Sequence, residues 1–229
     1  MRDEIRAFII TAIIAAVMLT GASAMSASIN QGTSQKVVQN NGLELIMSIN
    51  SRVIASGQTI SVTISMINTL PKYNLVTASN NWPGFAVSTG PCGTMNDPMG
   101  IAIFSGYYTL SNITSAGEPM ELYEPGIYNC PAMFHINAYA FLPHGTSTGQ
   151  PAIDNAVLNV NSYELSRTMK IGGYWSQSMP IKYSNTGIPL LTAQYKTFEP
   201  GTYTIVGADE WGGMVILHFQ VKSFALSDK

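Results

Sequence analysis

Residues 198–221, FEPGTYTIVGADEWGGMVILHFQV, bring Asp209, Glu210, Trp211 and His218 into one short stretch. Two carboxylates and an imidazole are the side chains from which general acid–base catalysis is built. Their neighbours decide whether they converge. GTYTIVGA (201–208) and MVILHFQV (214–221) are both strand-like, and the DEWGG between them holds the glycine pair that a tight hairpin connection favours. Val215, Leu217, Phe219 and Val221 then share one face, and His218 points the other way with Met214 and Ile216. Asp209 and Glu210 fall at the turn, side by side, and do not project as a pair. The expectation is a hairpin whose carboxylates serve hydration and turn geometry.

The remaining chemistry is sparser. Cys130 and His135 in IYNCPAMFHINAY have a spacing that resembles the copper-ligand loop of cupredoxins, whose site needs two histidines, a cysteine and a weak axial ligand. All three histidines (His135, His144, His218) lie after the cysteine, however, and Tyr139 stands where an axial methionine would fall. No metal and no cofactor is expected. Cys92 offers Cys130 a simpler partner, and in an exported chain two cysteines predict a disulfide. There is no G-x-S-x-G and no H-E-x-x-H. Asp97, Glu118, Glu124, Asp154 and Glu199 fall in turns, where solvated loop chemistry is the expectation. The chain is therefore read as non-enzymatic. NNWPGF (80–85), Tyr107, Tyr108, Tyr139, Tyr174 and Trp175 are candidates for an aromatic carbohydrate platform, although such rings more often fill a core. Asn112, in the NIT sequon of 112–114, is a candidate glycosylation site.

The elements that must position these residues are strands. In LELIMSIN (43–50), Leu43, Leu45, Met47 and Ile49 share a face. In TISVTISMIN (59–68), Ile60, Val62, Ile64 and Met66 point inward, with Ser61, Thr63 and Ser65 outward. This period of two marks half-buried strands. GIAIFSGYYTL (100–110), HINAYAFL (135–142) and AVLNVNSYEL (156–165) read as further strands, separated by Gly- and Pro-rich turns. The Pro-Gly-Thr-Tyr lead-in to Tyr203 resembles the tyrosine corner of immunoglobulin-like sandwiches. The fold class expected is all-β, an immunoglobulin-like β-sandwich over 43–224.

The 229 residues carry 10% charged side chains and a net charge of −2, against roughly 25% charged in typical soluble domains. Such a chain lacks the clustered Lys and Arg that nucleic-acid binding requires. Its hydroxyl-rich composition suits export. Residues 1–24 supply the means: a charged head (MRDEIR), an apolar run and an Ala22-Ser23-Ala24 site form a secretory signal peptide. An uncleaved anchor is the alternative, since Ala7 to Ala24 is 18 residues without a charge. A pilin-type leader cut before Phe8 is the third. Residues 25–42 are polar and read as a linker.

NNWP, GPCG, GIAIFSGYYT, EPGIYNCP and PGTYTIVGADEWG…VILHF together resemble a set of uncharacterised exported archaeal proteins, thermoacidophilic and thaumarchaeal ones among them. The likeness spans most of residues 43 to 221. It implies an archaeal surface protein and carries no catalytic residue over. The role expected is structural, adhesive or binding, secreted or at the cell surface, with surface glycans or a second copy of the chain as partners. The rival within that class is a filament subunit whose polar segment 25–42, or the apolar leader if retained, extends into a neighbour and completes its sheet by strand addition. An exported enzyme or copper protein is the more distant alternative.

Overall fold

The structure is a computed structural model that describes residues 32–90, 97–124, 135–176, 182–183, 189–190 and 193–223. In chain order its strands are β1 (Thr33–Val38), β2 (Leu43–Ile49), β3 (Val53–Ala55), β4 (Ile60–Asn68), β5 (Asn74–Thr77), β6 (Met99–Ser105), β7 (Ala138–Phe141) and β8 (Ala152–Asp154). There follow β9 (Val157–Asn159), β10 (Glu164–Ile171), β11 (Gly173–Trp175), β12 (Lys182–Tyr183), β13 (Pro189–Leu190), β14 (Tyr195–Thr197), β15 (Gly201–Asp209) and β16 (Met214–Lys222). The fold is an all-β sandwich, as the alternation predicts.

Three four-stranded sheets carry it, ordered β1-β2-β4-β10, β3-β16-β15-β6 and β5-β7-β9-β8. The first faces the second, with β2 packed on β15 and β16 and β4 on β6. Leu43, Leu45, Met47, Ile60, Val62, Ile64 and Met66 from the first sheet meet Ile101, Ile103, Ile205, Leu217 and Phe219 from the second, all buried. Val76, Tyr139, Phe141 and Leu158 bring the third sheet into the same core. Each large side chain so buried contributes about 1.5–3 kcal/mol by removal from water. The second sheet is buried on its other face too, where Ala102, Phe104, Val206 and Ile216 pack under Phe85 and Tyr108.

Several boundaries differ from the sequence expectation. The strand expected over 100–110 ends at Ser105, because Gly106 turns to a φ of 108° and Tyr108 folds back toward Phe104. The run 156–165 divides into β9 and β10 at Asn161, which sits at a φ of 55°. The largest correction concerns the polar segment 25–42. Its residues Thr33–Val38 are not linker but β1, antiparallel to β2 in a register of Thr33↔Ile49 through Val38↔Glu44. The backbone ladder holds this edge strand, and most of its side chains are exposed, so no apolar stripe announces it.

The outer face of the first sheet keeps the hydroxyls predicted to point outward. Ser34, Ser48, Thr63 and Thr168 lie in one row across its four strands. Thr63 bonds Thr168 at 2.8 Å and Ser65 bonds Ser166 at 2.7 Å between hydroxyl oxygens. Tyr203 completes its corner, donating to the Glu199 carbonyl at 2.8 Å.

Candidate functional site

The hairpin forms as expected, β15 against β16 in a register of Gly201↔Val221 through Ala208↔Met214. Val215, Leu217, Phe219 and Val221 are buried on the core face. His218 lies on the opposite face, its Nε2 2.8 Å from the Tyr108 carbonyl oxygen and its ring stacked on Tyr107.

The turn itself departs from expectation. Asp209 is 0% exposed and Glu210 4%, so neither carboxylate is hydrated. Asp209 closes the loop from within. Its Oδ1 accepts from the Trp211 and Gly213 amides, each at 2.9 Å, and its Oδ2 accepts from Gln39 Nε2. The Asp209 amide in turn donates to the Gly213 carbonyl at 3.1 Å. A Cβ at Gly213 would stand 2.4 Å from Asp209 Oδ2, so any other residue there must displace the carboxylate. Gly212, at a φ of 89°, supplies the left-handed step. Burial pushes the Asp209 carboxyl up to about 6, and its three hydrogen bonds offset part of that rise.

Glu210 reaches the other way. Its Oε1 accepts from the Ser79 amide at 3.1 Å and its Oε2 from the Tyr139 hydroxyl at 3.2 Å. Its backbone accepts from the Asn81 amide at 2.6 Å and donates to the Pro98 carbonyl at 3.0 Å. Burial raises this carboxyl as well, and the charge of Asp209 adds to the rise. Tyr139 is driven up by burial first and then by the Glu210 charge, so it stays a neutral donor. Trp211 donates its indole N–H to the Thr77 carbonyl at 2.8 Å and meets Tyr139 edge-on, with centroids 5.4 Å apart.

Asp209 thus ties the second sheet to the segment after β1, and Glu210 ties it to β7 and the segment after β5. An open hollow of about 410 Å³ lies outside, between residues 37–41 and Trp211–Gly213, and neither carboxylate lines it. The pair braces three sheets at one corner. A ligand there would meet Val37, Val38, Trp211, backbone and carboxamide groups, and no acid.

The other candidates are dispersed. Cys92 and Cys130 lie outside the described residues, which puts the disulfide and the copper cysteine there as well. His135 is exposed, while His144 places Nδ1 3.0 Å from the Asn68 carbonyl oxygen. Among the described residues no group of three His, Cys, Asp or Glu is set to hold a metal ion. Asp97, expected as a solvated turn acid, pairs with Arg167 at 3.0 Å, and Arg167 also donates to the Tyr123 hydroxyl at 2.9 Å. Burial nevertheless raises the Asp97 carboxyl, against the pull of that guanidinium. Glu118 and Glu199 are exposed in loops as expected, while Asp154 is exposed at the end of β8. Asn112 is exposed at the start of a short 3₁₀ turn, and its carboxamide oxygen accepts from the Thr109 amide at 2.7 Å.

The aromatic residues do not make one platform. Tyr139 is core, Tyr107 is 65% exposed beside His218, and Tyr108 packs near Phe104. Tyr174 leans on Phe198, and Trp175 meets Tyr195, a residue the sequence did not single out. Gln39, Ser79 and Asn68 were also invisible as partners. Asn68 is fully buried, and donates to the Lys72 and Leu142 carbonyls at 2.9 and 2.8 Å. No family model, curated protein or solved structure matches the chain.

Proposed function

We propose that this chain is a non-enzymatic protein of the cell exterior, secreted or surface-held, with a structural, adhesive or binding role. One observation carries the reading: Asp209 and Glu210 are buried, and every one of their oxygens accepts a bond from the chain itself. A general acid or base must reach the proton it moves, and these reach only the fold. The leader-like residues 1–24, the low charge and the resemblance to exported archaeal proteins support the exterior location. Labelling intact cells with a membrane-impermeant amine reagent tests it. Labelled full-length protein is the expected result, and labelling only after lysis would count against an exterior site.

The cysteines belong to the same reading. A Cys92–Cys130 disulfide is expected, stabilising the fold by about 4 kcal/mol in the chain-entropy model. Alkylation of the denatured, unreduced protein should add no mass. Two added groups would exclude the bond and return attention to copper. Asn112 is expected to carry a glycan where the host glycosylates outside the cell, and the mass of that peptide checks it.

A second reading, the filament subunit, is favoured by the edges of the first sheet. The ladder alternation turns the amides of Ser166, Thr168 and Lys170 in β10 away from β4, and they meet no partner among the described residues. A strand from a second copy can add there. Thr168→Pro removes one of these outward donors without touching the β4 ladder. Assembly seen by electron microscopy and abolished in a folded Thr168→Pro protein would support this reading. Wild type that stays monomeric at high concentration would exclude it.

A further inference from the structure

β11 pairs with β14 in a register of Tyr174↔Lys196 and Trp175↔Tyr195, and an isolated bridge sets Glu121 opposite Trp175. Directly paired residues share a sheet face. Glu121, Trp175 and Tyr195 therefore form a row, carboxylate, indole and phenol, across three adjacent segments. The indole and phenol rings meet edge-on at 5.4 Å, and Tyr195 is 50% exposed. The pairing is close. A Cβ at Gly173 would stand 2.0 Å from the Lys196 carbonyl oxygen, and one at Gly172 would stand 3.2 Å from the Tyr195 hydroxyl. Glycine at both positions thus lets β11 and β14 approach closely.

Beside this row lies a groove of about 350 Å³ lined by Glu118, Glu121, Tyr174, Trp175 and Lys196 among others. Part of its polar capacity is unused among the described residues, although Ser176 Oγ accepts from the Gln194 amide at 3.0 Å. Glu121 spends one oxygen on the Tyr123 amide at 3.1 Å, and its other oxygen accepts nothing among the described residues. Glu118 and Lys196 make no side-chain hydrogen bond or ion pair there, and both are exposed.

We infer that this groove binds a neutral saccharide, with Trp175 as the stacking ring and Glu118 and Glu121 as hydroxyl acceptors. A sugar ring has one apolar C–H face and a rim of hydroxyls, each both donor and acceptor. It needs an aromatic surface flanked by unspent polar groups, and this groove brings the two together. The volume is at the low end for small-molecule sites, roughly 300–1,000 Å³, and suits about one or two rings. Two carboxylates disfavour uronic and other acidic sugars. The inference rests on the binding role proposed above and names its ligand class.

The test is titration of the full-length protein with N,N′-diacetylchitobiose, α-1,2-mannobiose and a glucuronate disaccharide, observing the three indole N–H signals by NMR. Trp175→Ala identifies its own signal, with circular dichroism and thermal melting checking the fold. Trp175→Phe keeps a ring if the alanine variant does not fold. The expected result is a saturable shift of the Trp175 signal with a neutral disaccharide, and at least tenfold weaker binding for Trp175→Ala. The phenylalanine variant should keep part of the affinity, and the glucuronate should give no shift. No shift with either neutral disaccharide, or binding that Trp175→Ala leaves intact, overturns the inference. Binding to isolated cell envelopes separates this from the broader reading. Wild type and folded Trp175→Ala binding envelopes equally would sink the groove and leave the surface role standing. No envelope binding and no self-assembly by either would sink the surface role.

Discussion

The hairpin turn and the β11–β14 groove hold the same kinds of side chain: two carboxylates, a tryptophan and a tyrosine. In the turn, both carboxylates of Asp209–Glu210 are buried and saturated, and Trp211 donates to Thr77 while Tyr139 donates to Glu210. At the groove, Glu118 is exposed, one Glu121 oxygen accepts nothing among the described residues, and Tyr195 beside it is half in water. Residue type alone separates them badly. What separates them is whether the hydrogen-bonding capacity has already been used in folding. A saturated carboxylate is a brace. An unsaturated one beside an exposed ring is available to a ligand.

That contrast can be broken at its shared foundation. Phe219 touches Tyr203 and Phe198 ring to ring, and Phe198 in turn meets Tyr174 beside the groove. Phe219→Ala should cost on the order of 3–5 kcal/mol in chemical denaturation. His218→Ala, on the other face, should cost about 1 kcal/mol, through its bond to the Tyr108 carbonyl and its stacking on Tyr107. Equal losses would mean that the two faces are wrongly assigned.

The next largest effect separates brace from acid. The Asp209 carboxyl is raised from 3.8 to about 6 in the folded state, so the folded protein binds the extra proton between those values. Stability from this group is full below about pH 4 and is lost as pH rises through about 6, by on the order of 3 kcal/mol. Glu210 and Asp97 are raised as well and act with the same sign. Asp209→Asn should flatten this part of the profile and be more stable than wild type at pH 7. Asp209→Ala leaves the Trp211, Gly213 and Gln39 donors without their acceptor, and should lose about 2–4 kcal/mol. Melting curves at pH 4, 5, 6 and 7 read all three proteins. An asparagine variant that tracks wild type would show that Asp209 is not the group titrating.

Smaller still, Tyr139→Phe removes the donor to Glu210 Oε2 and should cost about 1–2 kcal/mol, and Glu210→Gln should cost less. At the bottom of the scale, Trp175→Phe should change the melting temperature by no more than a degree or two, since that ring is only partly buried. A stable Glu210→Gln protein that loses cell or glycan binding would reverse the contrast and make the turn the site.

The period-two runs made most of the main core legible. Leu43 to Ile49 and Ile60 to Met66 alternate because one face of each strand is dry, and Val215 to Val221 keeps the same period although Ile216 is buried on its second face. β1 was not legible, for the opposite reason: Ser34, Gln35 and Lys36 are exposed, and what holds the strand is the backbone ladder with the Lys36–Glu44 ion pair and the bond from the Ile216 amide to Gln35, none of which composition records. The burial of Asp209 was hidden because Gln39 is 170 residues away in sequence, and Ser79 is 131 from Glu210. The hairpin could be read locally, but what packs over its tip could not. The groove shows a related limit. Trp175 was visible as a candidate, yet Glu121 and Tyr195 join it only through strand pairings that no short motif encodes.

The hydroxyl row of the first sheet, Ser34, Ser48, Thr63 and Thr168, presents dipoles where most protein surfaces present ions. Ionic strength shortens the reach of charge, to about 10 Å in 0.1 M salt and about 3 Å in 1 M. Hydroxyl contacts have no such range to lose, and no proton to gain or give between neutrality and strong acid. A partner held by that row of hydroxyls, and not by the Lys36–Glu44 ion pair on the same face, would keep its grip through a change of brine or pH that loosens an ion-paired interface.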